Sequence, residues 1–190
     1  MTKSNIEAIA NQVLDKYVSR GGAYKQFDKI FQSENIKYKE IDADESNFAG
    51  VFTKAPNEQK YIMINSNIDN VGRKNFTIAH ELGHYFLGHQ LKSNMLVDTT
   101  INEECSNKEP IEYEADYFAT CLLMPEDKIT SAVKSILYRI NKISSNTPIV
   151  ISGRNYKTWA IINSELTKRY GVSETALRYR LSALNIVKFL

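Results

Sequence analysis

Residues 77–89, TIAHELGHYFLGH, hold all three histidines of a 190-residue chain. His80 and His84 are four apart, so on a helix they project from one face about a turn apart. Their imidazoles then reach a single ion at about 2.0–2.1 Å, the length of a zinc–nitrogen bond. Glu81 points to the side of the pair, where it does not easily ligate the same ion but reaches a water held on it. This is the His-Glu-x-x-His arrangement, with the glutamate as general base. The flanking FTIA and YFL make the helix apolar and buried, and a buried histidine pair needs partners. The plain alternative, two ordinary side chains with an exposed glutamate between them, leaves that need unmet. Gly83 lets a neighbouring element pack closely. His89 lies five residues past His84, about 140° further round an ideal helix. It reads as a helix-end or surface histidine, not as a ligand.

A catalytic zinc takes three protein ligands and leaves one position open. With the histidines used, the third is a carboxylate or a cysteine. PIEYEADYFATCLLMP, residues 110–125, reads as a helix started by Pro110 and ended by Pro125. Glu112 and Asp116 share one face of it. If Glu112 ligates, Asp116 can accept a hydrogen bond from the free nitrogen of a ligating histidine, which fixes its tautomer and orientation. Two carboxylates on so apolar a helix are costly unless something cationic faces them. Glu114, about 200° round from Glu112, is the rival ligand and lacks that same-face support. Glu103, Glu104 and Cys105 are weaker rivals in a loop expected over 92–109.

The rest of the chain reads as one main domain with a helical extension. Apolar residues make up 43 %, enough for a core. No stretch approaches the roughly 18 apolar residues of a membrane span. The polar N-terminus and two cysteines suggest a cytoplasmic protein without a disulfide framework. Helical spacing marks 5–19, 23–34, 73–88, 110–124 and 126–140. Strands are expected at 36–41, 48–53 and 60–65, with KAPNEQ as a turn, and 141–155 as a connector. The net charge is only +2, but residues 151–190 carry seven lysines and arginines against two glutamates. Residues 162–187 read as helix, turn at Gly171, and a helix capped by Ser173. The winding is like a helix-turn-helix, and Arg178 and Arg180 are its candidate nucleic-acid contacts. DNA binding is the weaker expectation, since one such unit without a dimer helix binds poorly.

FTIAHELGHYFLGH followed by EYEADYFATCLLMP resembles the ImmA/IrrE family of metallopeptidases, as do YIMIN and YGVSETALRYRL. The likeness implies zinc ligands at His80, His84 and Glu112, with Glu81 as base, in agreement with the geometric reading. It also implies regulatory proteolysis of a helix-turn-helix repressor, the family often serving as an anti-repressor. The family often has an arginine where this chain has Asn75. The expected architecture is α+β: a zincin-like core over 1–140, its small three-stranded antiparallel sheet packed on the active-site helices, and a helix-turn-helix-like subdomain over 141–190. One zinc ion is the expected cofactor, though manganese or iron also suit two histidines and a carboxylate. Tyr61, Tyr85 and Tyr113 are the candidate oxyanion donors. The strand at 60–65, as an exposed edge, would pair with an extended substrate, and the loop at 92–109 would gate access. The competing readings are a DNA-binding regulator with a structural zinc and a repressor-binding module that does not cut.

Overall fold

The computed structural model describes residues 1–18, 22–43, 48–89, 110–141, 149–151 and 156–189. Apolar spacing becomes helix largely where the sequence indicates. The helices are α1 (Lys3–Tyr17), α2 (Phe27–Ser33, entered by a 3-10 turn at Ala23–Gln26), α3 (Val71–Phe86), α4 (Pro110–Leu123), α5 (Glu126–Asn141), α6 (Tyr156–Tyr170) and α7 (Glu174–Ala183). Three begin on a side-chain cap. Thr2, Asn70 and Ser173 accept the backbone N–H of Asn5, Arg73 and Ala176, satisfying donors that a helix start otherwise leaves unpaired. The loop expected over 92–109, with Glu103, Glu104, Cys105 and the gating role, lies outside the described residues.

The sheet departs from expectation. Strands β1 (Ile36–Ile41), β2 (Gly50–Lys54) and β3 (Lys60–Asn65) lie in the order β1-β3-β2. A turn between Ala55 and Gln59 makes β2 and β3 an antiparallel hairpin, whereas β1 runs parallel along the far side of β3. The sheet is therefore mixed, not antiparallel, and β3 is its central strand. Residues 60–65 thus offer no free edge. One face of this strand is packed, with Ile62 and Ile64 fully buried, while Tyr61 and Met63 on the other face are only half-buried. Two strands that the sequence did not mark, β4 (Ile149–Ile151) in the expected connector and β5 (Val187–Phe189), pair in parallel.

One apolar core runs from Ile6 and Val13 of α1, through α3 and α4, to Trp159 and Leu166 of α6 and Leu177 and Leu181 of α7. The C-terminal helices thus contribute to the core that holds α3. A Cβ on Gly72 would lie 2.4 Å from the Ser173 nitrogen, so only glycine lets the start of α3 approach the α6–α7 turn this closely. Asn75 donates to the Gly171 carbonyl at 2.8 Å, tying α3 to the same turn. Among the described residues, no helix is long and apolar enough to cross a membrane.

Candidate metal centre

Helices α3 and α4 cross where Gly83 meets Ala115. A Cβ on Gly83 would stand 3.1 Å from both the Ala115 Cα and its carbonyl oxygen. This close approach brings the two functional faces together. The His80 and His84 Nε2 atoms lie 2.9 Å apart. Glu112 reaches between them, with Oε2 3.1 Å from His80 Nε2 and Oε1 3.4 Å from His84 Nε2. Asp116, one turn on, sits 2.8 Å from His80 Nδ1. With Nδ1–H donating to Asp116, His80 Nε2 is the atom turned toward Glu112 and His84.

The pocket is closed around its ionisable groups. His80, Glu81 and His84 have no solvent exposure. Neither Glu81 oxygen has a well-formed hydrogen bond, the Phe52 backbone being the donor beside them, and Glu112 Oε1 is buried with only the long approach to His84. Burial pushes the Glu81 carboxyl up, against the opposing pull of the two imidazoles. For His80, burial disfavours the cation, yet hydrogen bonds to Asp116 and Glu112 outweigh it and raise its pKa to about 10. Burial would raise Glu112, but the same two histidines hold it well below the usual carboxylate range. One ligand atom from each of His80, His84 and Glu112 lies within 4.8 Å of the other two. Two nitrogens sharing a tetrahedral ion stand about 3.3 Å apart at normal bond lengths, close to the observed separation. This donor set fits a divalent metal ion, which would satisfy the poorly partnered Glu112 Oε1.

The other candidates lie elsewhere. Along β2 and β3, the even-numbered Phe52, Ile62 and Ile64 are the buried side chains. Tyr61 therefore projects from the opposite face, where Lys37 and Lys39 flank its ring. The Tyr85 hydroxyl donates to Glu34 at 2.5 Å and accepts from Lys60 at 3.0 Å. Glu34 also accepts from Tyr17. Burial would raise Glu34, but the two tyrosine hydroxyls outweigh it and hold the carboxyl at about 2. Tyr113 lies under Lys3 of α1. Of the three tyrosines, only Tyr85 has its hydroxyl engaged in these contacts. Arg180 is corrected as a nucleic-acid contact: it is 1 % exposed, donating to the Met124 carbonyl at 3.1 Å and to Glu7 at 2.9 Å. Arg178 lies over the Phe189 ring, 4.0 Å from its centroid, and 3.8 Å from Glu174.

His89 lies just past the helix end, one of the two expected places, but is not a surface residue. Its side chain is 6 % exposed, with Nδ1 3.0 Å from His84 Nδ1 and Nε2 3.2 Å from Glu114 Oε2. Burial, followed by the neighbouring His84, lowers its pKa to about 4, so the ring is neutral at pH 7. The sequence reading carried an ideal helix past its end. Gly88, a residue type favoured just beyond helix ends, was the available signal.

Comparison with known proteins finds relatives by sequence and by fold. Metallopeptidase ImmA of Bacillus subtilis (strain 168) is 35 % identical over 81 residues, covering 42 % of this chain and 43 % of the relative. Uncharacterized immunity region protein 2 of Bacillus phage phi105 is 32 % identical over 93 residues, 49 % of this chain and 55 % of the relative. The matches thus span about half the length of these curated relatives. A solved structure described as a Mycobacterium tuberculosis transcriptional regulator has a TM-score of 0.54 at 14 % identity, over 94 % of this chain and 47 % of its own. At that identity the likeness is one of fold. Residues 31–182, most of the chain and all of the histidine–carboxylate cluster, match the family model of the IrrE N-terminal-like domain, and the chain belongs to that family.

Proposed function

We propose that the chain is a zinc-dependent endopeptidase that cuts a specific regulatory protein, with a helix-turn-helix repressor as its substrate class. The observation that carries the reading is Glu81: a fully buried carboxyl group without a well-formed hydrogen bond, beside two imidazoles and the Glu112 carboxylate. Such a group is costly unless it has chemistry to perform. His80, His84 and Glu112 would hold the ion. When bound, the ion supplies a Lewis acid that acidifies a water and polarises the scissile carbonyl. Glu81 takes the proton of the attacking water and returns it to the departing amine. Asp116 holds the His80 ring in its orientation.

Of the two edge strands of the three-stranded sheet, β2 is the one proposed to take the substrate. Asn65 donates to Ala49 and Ala55 to Gln59, so the odd-numbered residues of β2 make the ladder with β3. Gly50, Phe52 and Lys54 therefore turn their backbone groups to the open edge, and the Phe52 backbone lies beside Glu81. An extended peptide paired there runs past the base. The relatives named as a metallopeptidase and an immunity region protein support a regulatory peptidase.

The test compares the native chain with Glu81→Gln by metal analysis and by incubation with a candidate repressor. Glu81→Gln should keep its zinc and leave the repressor intact while the native chain cuts it. Equal cutting by the variant, or by the native chain stripped of metal, overturns the reading. A repressor bound but intact with the native chain points to the non-cutting module.

A further inference from the structure

Helix α3 ends in a reversal that folds its next residues back over the site. Gly88 takes φ +69°. Its N–H donates to the Tyr85 carbonyl at 3.2 Å, and the His89 N–H donates to the His84 carbonyl at 3.0 Å. These are the paired bonds of a Schellman cap, in which the second residue past the helix lies over the residue five before it. That contact is usually apolar. Here both residues are histidines, their rings meeting edge-on with centroids 5.1 Å apart.

Proton counting gives every bond in this chain a direction. The His84 Nε2 faces Glu112 and His80, so as a ligand atom it carries no proton. Its Nδ1 then carries one and donates to His89 Nδ1. The proton of a neutral His89 must be on Nε2, which donates to Glu114. Glu114 is an acceptor in its ionised form. No nitrogen is asked to do two things at once. The other Glu114 oxygen meets the Met1 amino group, and its side chain is 14 % exposed.

We propose that His89 and Glu114 form a positioning pair for His84, the counterpart of Asp116 on His80. The proposal rests on the metal-site reading above. Asp116 reaches its histidine directly, whereas Glu114 reaches His84 through an inserted imidazole. Helix α4 thereby supplies a ligand and the outer carboxylate for each of the two histidines.

The experiment measures zinc affinity by competition with a chromophoric chelator, using the full chain and its His89→Phe, His89→Gln, Glu114→Ala and Asp116→Ala variants. Thermal unfolding of each metal-free protein reports the fold. Loss of an outer partner typically weakens metal binding by about 10- to 100-fold, and that loss is expected for His89→Phe, Glu114→Ala and Asp116→Ala. His89→Gln, whose amide oxygen accepts and whose nitrogen donates, should stay within about threefold of native. A purely packing role reverses the order, because phenylalanine fills the ring's place and glutamine does not. Cobalt-loaded protein gives a second readout, with the visible spectrum altered in His89→Phe and restored in His89→Gln. Native affinity in folded His89→Phe or Glu114→Ala overturns the proposal, as does a His89→Gln variant no tighter than His89→Phe. If His89→Phe does not fold, Glu114→Ala and His89→Gln decide. A native chain that takes up no zinc sinks the metal-site reading and this proposal together, whereas native affinity in the variants sinks this proposal alone.

Discussion

His80 sits between two carboxylates in a pocket closed to water, and its pKa of about 10 means that the metal-free chain keeps a proton there at pH 7. A metal ion must displace that proton. Calorimetry in buffers of different ionisation enthalpy should therefore report about one proton released per zinc at pH 7. Zinc affinity should rise with pH while His80 remains protonated in the empty site. The metal-free fold should respond oppositely. The folded value lies above the ordinary 6.5, so this stabilisation is full below pH 6.5 and is lost as pH rises through about 10. The unfolding temperature of the metal-free chain should fall between pH 7 and 10. At this scale the sequence was informative wherever residues were spaced by four on one helix, as with His80 and His84 or Glu112 and Asp116. It misled at His89, because that side chain is placed by a cap that interrupts the helical period.

The crossing of α3 over α4 is an element-scale feature resting on Gly83. Its missing Cβ faces backbone atoms of Ala115, which cannot move without moving Glu112 and Asp116 on either side. Gly83→Ala gains helix propensity of about 1 kcal/mol but overpacks a closed interface, typically at about 1–3 kcal/mol. We expect a net loss of stability in urea and weaker zinc binding, measured by chelator competition. Stability unchanged with zinc binding intact would mean that the crossing tolerates a methyl group. The helices were legible because their apolar spacing is sustained over several turns. The sheet was less so. A hairpin turn announces the pairing of β2 with β3, but no local residue announces that β1 joins the other side of β3 in parallel. Strands β4 and β5 are three residues each, too short for alternation to register.

For the molecule as a whole, the positive charge of the C-terminal forty residues has an internal use. Arg180 ties α7 to the end of α4 through Met124 and to α1 through Glu7. Arg180→Ala leaves an acceptor and a carboxylate without their partner and should destabilise by about 2–3 kcal/mol, read from chemical denaturation. A variant as stable as the native chain would contradict this role. Residue composition alone gives no distinction between an arginine that reads a groove and one that closes a core, so the reading as a DNA contact was natural and wrong for this side chain.

Glu112, Glu114 and Asp116 occupy little more than one turn of α4, and each contacts a different histidine neighbour or a different nitrogen. Turning or sliding that helix by a single residue would uncouple all three together. A single disturbance of that helix would therefore be felt at every one of these contacts at once, rather than at one histidine alone.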